Sequence, residues 1–170
     1  PQLWQEVMRF EQYREQFAFL RDNGITTRTD MAAFTARTEE TLANLMKQRT
    51  VLNVRRKRRR ALYTALADAE ALAPVKELYE AGLSGMETEF AQYMDAVAAL
   101  EQCGVPREGL IQEKAELYDR LAELNRQIRA ERRKLALCRK TQNSLPRMEQ
   151  EIDKAEARES EVRTNEHRRR

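Results

Sequence analysis

Six consecutive basic residues, Arg55-Arg56-Lys57-Arg58-Arg59-Arg60, carry the chemistry most visible in this sequence. Guanidinium and ammonium groups hold phosphate oxygens. Lys47 and Arg49 extend the block to eight cations, and no acidic residue occurs between Glu40 and Asp68. Like charges without local counterions repel one another and favour a polyanion, most simply nucleic-acid phosphate. At about 100° per residue the run passes all the way round a helix, so it has no apolar face of its own to bury. A plain solvated face is the alternative, but such faces interleave both signs at i,i+4 spacing and this one does not. Since no aromatic interrupts the run, it contacts backbone and does not read bases, and sequence-tolerant binding is expected. Two further readings stand beside it. One is a nuclear import signal, for which a run embedded in a helix is weak evidence. The other is a protein-interaction rod whose basic girdle meets an acidic partner or the acidic remainder of a longer parent chain.

Little else in the sequence has catalytic spacing. There is no Gly-rich phosphate loop, no Ser/His/Asp or Cys/His set and no metal-ligand pattern, so we expect no catalytic residue, no metal site, no cofactor and no enzymatic activity in this stretch. Cys103 and Cys138 form no CxxC; sequence leaves a disulfide between them open, and free thiols in a reducing cytoplasm are the expectation, Cys138 as a small apolar seam residue. No apolar run approaches a membrane span and no signal peptide opens the chain, so no membrane insertion is expected. The chain enters helical sequence directly at Pro1, which reads as a piece of a longer protein.

The elements that must carry the basic block are helices. Of the 170 residues 35% are charged and 6% aromatic, with 5 Gly, 4 Pro and a mean hydropathy of −0.80. Such a composition suits long helices that bury narrow seams. The net charge of +3, with eight cations between residues 41 and 67, leaves the remainder of the chain at about −5, so any attraction to DNA is local.

Five segments follow. Residues 1–23 form an amphipathic helix with Leu3, Trp4, Val7, Met8, Phe10, Phe17 and Leu20, ended by Asn23-Gly24. Thr29 or Asp30 caps a long basic helix over 30–72, whose stripe Leu42, Leu45, Leu52, Tyr63 and Leu66 is interrupted by Arg49, Arg56 and Arg59. Residues 74–105 form a small helical insert. A long coiled-coil helix over 107–158 carries Leu117, Leu121, Leu124, Ile128, Leu135, Cys138, Leu145, Met148 and Ile152, with Pro146 kinking or restarting it. Residues 159–170 are a frayed charged tail.

The fold class expected is all-α: an elongated antiparallel coiled-coil-like helical hairpin with a small insert and an additional N-terminal helix. With Leu66 beside Leu117, residues 49–57 lie beside about 126–134. Arg126, Arg129, Arg132, Arg133 and Lys134 then join Lys47, Arg49 and Arg55 to Arg60 as candidate nucleic-acid-binding residues. In that register Glu131 lies opposite Leu52, within reach of Arg49 or Arg56. A seam does not name its partner, so pairing within one chain or in a homodimer both stay open.

The order of features resembles a known family. The segment from Tyr13 to Asn23-Gly24-Ile25, then Leu78-Tyr79-Glu80-Ala81-Gly82, Phe90, Ala96 to Leu100, Cys103-Gly104-Val105-Pro106 and Ala115-Glu116-Leu117-Tyr118 are similar to the carboxy-terminal helical region of relaxases. These are the mobilization nucleases of integrative and conjugative elements in Gram-positive bacteria. The resemblance covers nearly the whole chain but includes no catalytic motif. The family's tyrosine nucleophile and histidine-rich metal site do not map here. His167 is the single histidine, and Tyr13, Tyr63, Tyr79, Tyr93 and Tyr118 are expected as packing or seam residues. The resemblance implies a non-catalytic accessory region in the bacterial cytoplasm. It would support DNA binding near the transfer origin, and contacts to relaxosome or transfer-machinery proteins. The competing expectation is a structural coiled-coil adaptor that binds protein and not DNA.

Overall fold

A computed structural model of the chain describes the backbone of residues 2–168 and the side chains of residues 8–151, 153, 154 and 156–158. The fold is all-α: α1 (Gln2–Asp22), α2 (Arg28–Ala71), α3 (Ala73–Glu80), α4 (Glu87–Gln102) and α5 (Arg107–Arg168), with no strand among the described residues. The side chains of Leu3, Trp4, Val7 and Ile152, named above as apolar-face residues, lie outside the described set. So do the side chains of 159–170, expected as a frayed tail, although the backbone is helical to Arg168.

Local chemistry explains the helix ends. At the end of α1 the Gly24 N–H donates to Arg21 O (3.1 Å) and the Ile25 N–H to Leu20 O (2.9 Å), with Gly24 at φ 63°. This closes the last turn with a left-handed residue that glycine adopts without strain. It also turns Ile25 back against Leu20 in the core. The start of α2 is a reciprocal box. Thr27 Oγ1 accepts from the Asp30 N–H (3.0 Å), while Asp30 Oδ2 accepts from the Thr27 N–H (2.8 Å) and from Thr26. The cap is therefore Thr27, with Asp30 three residues on as its counterpart, and not Thr29 or Asp30 as expected. Pro74 sits in the first turn of α3, where a missing N–H costs no intrahelical bond. Pro146 lies inside α5, which is unbroken there. The helix gives up the bond to the Gln142 carbonyl and does not restart.

Two compact units divide the chain: Pro1–Ala43 with Arg129–Arg170, and Asn44–Ile128. In the first, α1 and the start of α2 each pack against the later part of α5. Arg9 pairs with Glu151 (3.9 Å) and Glu15 with Lys140 (3.2 Å), so α1 runs antiparallel to α5. The core is Phe19, Ile25, Met31 and Cys138, with Leu20, Phe34 and Leu137 packed on it. Phe19 and Phe34 meet edge to face at 5.6 Å. Burial of Phe19, Ile25 and Met31 contributes about 1.5–3 kcal/mol each. Thr38 and Thr141 are buried too, their hydroxyls donating to the Phe34 and Leu137 carbonyls one turn back.

The second unit holds the basic run. Tyr63, Leu117 and Leu121 form one cluster with Leu52, joining α2 to α5. Ala65, Ala69 and Ala96 form another with Val97 and Leu100, small side chains that let α2 and α4 approach closely. Tyr79 stacks on Phe90 at 4.1 Å, fastening α3 to α4. Residue numbers fall along α5 as they rise along α2: Arg49 meets Asn125, and Tyr63 meets Glu113. This register differs from the expected one. Leu117 clusters with Tyr63, one turn before Leu66, and Arg49 faces Asn125, not residues 126–134.

Candidate nucleic-acid interface

The basic run is a continuous part of α2, so its six side chains point around the helix, and the neighbouring helix α5 sorts them. Arg55, Arg59 and Tyr63 follow one another at i, i+4 and i+8 and converge on a single carboxylate. Glu113 Oε1 lies 3.4 Å from Arg55 Nη2 and 3.3 Å from Arg59 Nε, and accepts from the Tyr63 hydroxyl at 3.1 Å. The Glu113 side chain is only 16% exposed. Burial, reinforced by the hydrogen bond to Glu113, pushes the Tyr63 phenol above its ordinary value, so at neutral pH it remains a donor. Arg59 also reaches Cys103 Sγ at 3.9 Å, touching the end of α4.

The other four cations are unanswered. No carboxylate among the described residues lies within ion-pairing distance of Arg56, Lys57, Arg58 or Arg60, and all four are exposed. Arg56, Lys57 and Arg60 line an open groove of about 720 Å³ together with Asn53, Tyr63, Thr64, Ala67, Lys114 and Tyr118. Lys114, from α5, extends over the Tyr63 ring with its Nζ 6.0 Å from the centroid. It is the fourth cation of the groove and has no ion-pair partner among the described residues. Arg58 lies on a different side of α2, beside the exposed Val51 and Val54.

The remaining candidates are less available. Lys47 is exposed, and Arg49 is half-buried and donates to Asn125 Oδ1 at 3.3 Å. Arg126 pairs with Glu123 one turn away. Arg129, Arg132, Arg133 and Lys134 belong to the other compact unit. There Lys134 pairs with Glu131 at 2.7 Å, and the three arginines are exposed without a carboxylate partner among the described residues. Glu131, which the expected register put within reach of Arg49 or Arg56, pairs within its own helix, and Glu113 answers the block instead.

Two residues of the groove were missed by sequence reasoning. Lys114 lies among acidic neighbours in sequence, Glu113 and Glu116, which mask it. Tyr118 was expected as a packing or seam residue; Leu117 takes the seam, as its 3,4 stripe implied, and Tyr118 stands 47% exposed. The absence of aromatics holds for the run itself; across the helix pair it does not, because α5 supplies Tyr118 from the other side. Among the described residues no group of three or more His, Cys, Asp or Glu side chains could hold a metal ion, and no helix is long and apolar enough to cross a membrane. No family model, curated protein or solved structure matches the chain.

Proposed function

We propose that this chain is a non-catalytic helical module that binds nucleic-acid backbone, with the groove between Arg56 and Lys114 as its contact surface. One observation carries the reading: α2 and α5 bring four cations to one open groove, and none has a carboxylate partner among the described residues. Glu113 pairs with Arg55 and Arg59, offsetting one of their two charges, and does not reach that surface. Joined to the family resemblance, the reading becomes an accessory region of a conjugative relaxase in the bacterial cytoplasm. It would hold DNA near the transfer origin and assist relaxosome assembly.

Fluorescence anisotropy with a labelled oligonucleotide tests this. Engagement of four phosphates gives log affinity against log salt a slope of roughly −3 to −4. Arg56→Glu with Arg60→Glu, both on exposed positions, is expected to lower affinity at least about tenfold at low salt. Lys76→Glu, on α3 beside Glu80, serves as the charge control. Unchanged binding by the double variant would end the DNA reading.

A second reading has its own observation. Phe10 and Phe17, one face of α1, are 69% and 63% exposed. A structural adaptor that covers them with a partner protein or a second copy predicts concentration-dependent mass in light scattering and no retention of DNA at moderate salt.

A further inference from the structure

Of the two aromatics that line the groove, Tyr118 is the exposed one. Tyr63 is 5% exposed, its hydroxyl is held by Glu113, and Lys114 lies over its ring. Tyr118 stands 47% exposed between Lys114, one turn back on α5, and the cations of α2 across the groove. An aromatic ring flanked by phosphate-binding cations suits a base whose face is uncovered. In a duplex, stacking hides those faces and presents only the charged backbone and the groove edges.

We infer that the groove takes an unpaired nucleic-acid segment, one base stacking on Tyr118 while the flanking phosphates lie against Arg56, Arg60 and Lys114. The inference rests on the backbone-binding reading above and adds strandedness to it. Stacking needs only a π-face, so the preference is for unpaired bases over paired ones and not for a particular base.

The test measures anisotropy of the full chain with three probes of equal length: a thymidine strand, an abasic strand with the same phosphates, and a duplex. Wild type is expected to hold the thymidine strand more tightly than the abasic one. Tyr118→Ala should weaken the thymidine strand by roughly 5- to 150-fold and leave the abasic strand unchanged. Tyr118→Phe, which keeps the ring, should bind as wild type does. Circular dichroism checks that each variant keeps its helices, as expected for an exposed position. If wild type holds all three probes alike, or Tyr118→Ala affects the abasic strand equally, the stacking inference is overturned and the backbone reading stands. If no probe is retained, or Arg56→Glu with Arg60→Glu changes nothing, the backbone reading falls and the inference with it.

Discussion

The Tyr63 hydroxyl donates to Glu113 Oε1 at 3.1 Å, and that same oxygen faces Arg55 and Arg59. One carboxylate therefore performs two tasks. It satisfies a buried phenol in the α2–α5 seam, and it subtracts charge from one side of the basic run. The result is a divided helix on which Arg55 and Arg59 share one carboxylate of α5 while Arg56, Lys57, Arg58 and Arg60 are exposed without one among the described residues.

Those two tasks separate in variants. Glu113→Gln keeps an acceptor for Tyr63 and removes the charge, so stability should change little while polyanion affinity rises about twofold or more at low ionic strength. The gain should fade towards 1 M salt, where the screening length is about 3 Å. Glu113→Leu strands the Tyr63 hydroxyl and should cost about 1–3 kcal/mol in chemical denaturation. Equal stability of the two variants would mean that the hydrogen bond matters little.

What could be read from sequence here was local, and what could not was long-range. The turn at Asn23-Gly24 and the break at Cys103 to Pro106 depend on residues adjacent in the chain, and so did the helical character of everything between them. The partner of Arg55 and Arg59 depends on register. Glu113 stands fifty positions from Tyr63, and two seams of Leu and Ala at 3,4 spacing allow several offsets of nearly equal merit. Tyr118 failed for the same reason. The 3,4 stripe through Leu117, Leu121 and Leu124 assigned the seam to Leu117, but what Tyr118 faces across the groove depends on which part of α2 lies opposite it.

The Thr27–Asp30 box makes the start of α2 sensitive to acid. Hydrogen bonds from Thr26 and then Thr27 hold the Asp30 carboxyl down at about 2, below its unfolded range near 4. A folded pKa below the unfolded one gives stability that is fully present above about pH 4 and is lost as pH falls towards 2. Amide exchange at the first turn of α2 should therefore accelerate across that window in wild type. Asp30→Asn should flatten the dependence, and Thr27→Ala should cost about 1 kcal/mol at neutral pH.

The two thiols should react at very different rates. Cys103 is partly exposed at the end of α4, whereas Cys138 is fully buried among Phe19, Ile25 and Met31. Burial also pushes the Cys138 thiol up, which lowers its thiolate fraction. An aromatic disulfide reagent should label Cys103 in the native protein and Cys138 only on unfolding in denaturant. Equal rates under native conditions would contradict the packing of the first unit.

Gln16 offers a position where the protein should tolerate, or gain from, the loss of a polar group. Its side chain has no exposed area; Nε2 donates to Ser144 Oγ at 3.2 Å, and Oε1 has no hydrogen-bond partner. A buried acceptor left unmatched costs about 1–3 kcal/mol. Ser144 does not depend on Gln16, because its hydroxyl also bonds to the Lys140 carbonyl at 2.9 Å. Gln16→Met, similar in length and volume, removes the unmatched oxygen and strands nothing, so the denaturation midpoint should hold or rise. Gln16→Ala opens a cavity between α1 and α5 and should lower it. A midpoint that falls with Gln16→Met as far as with Gln16→Ala would show that the amide itself contributes to the α1–α5 contact.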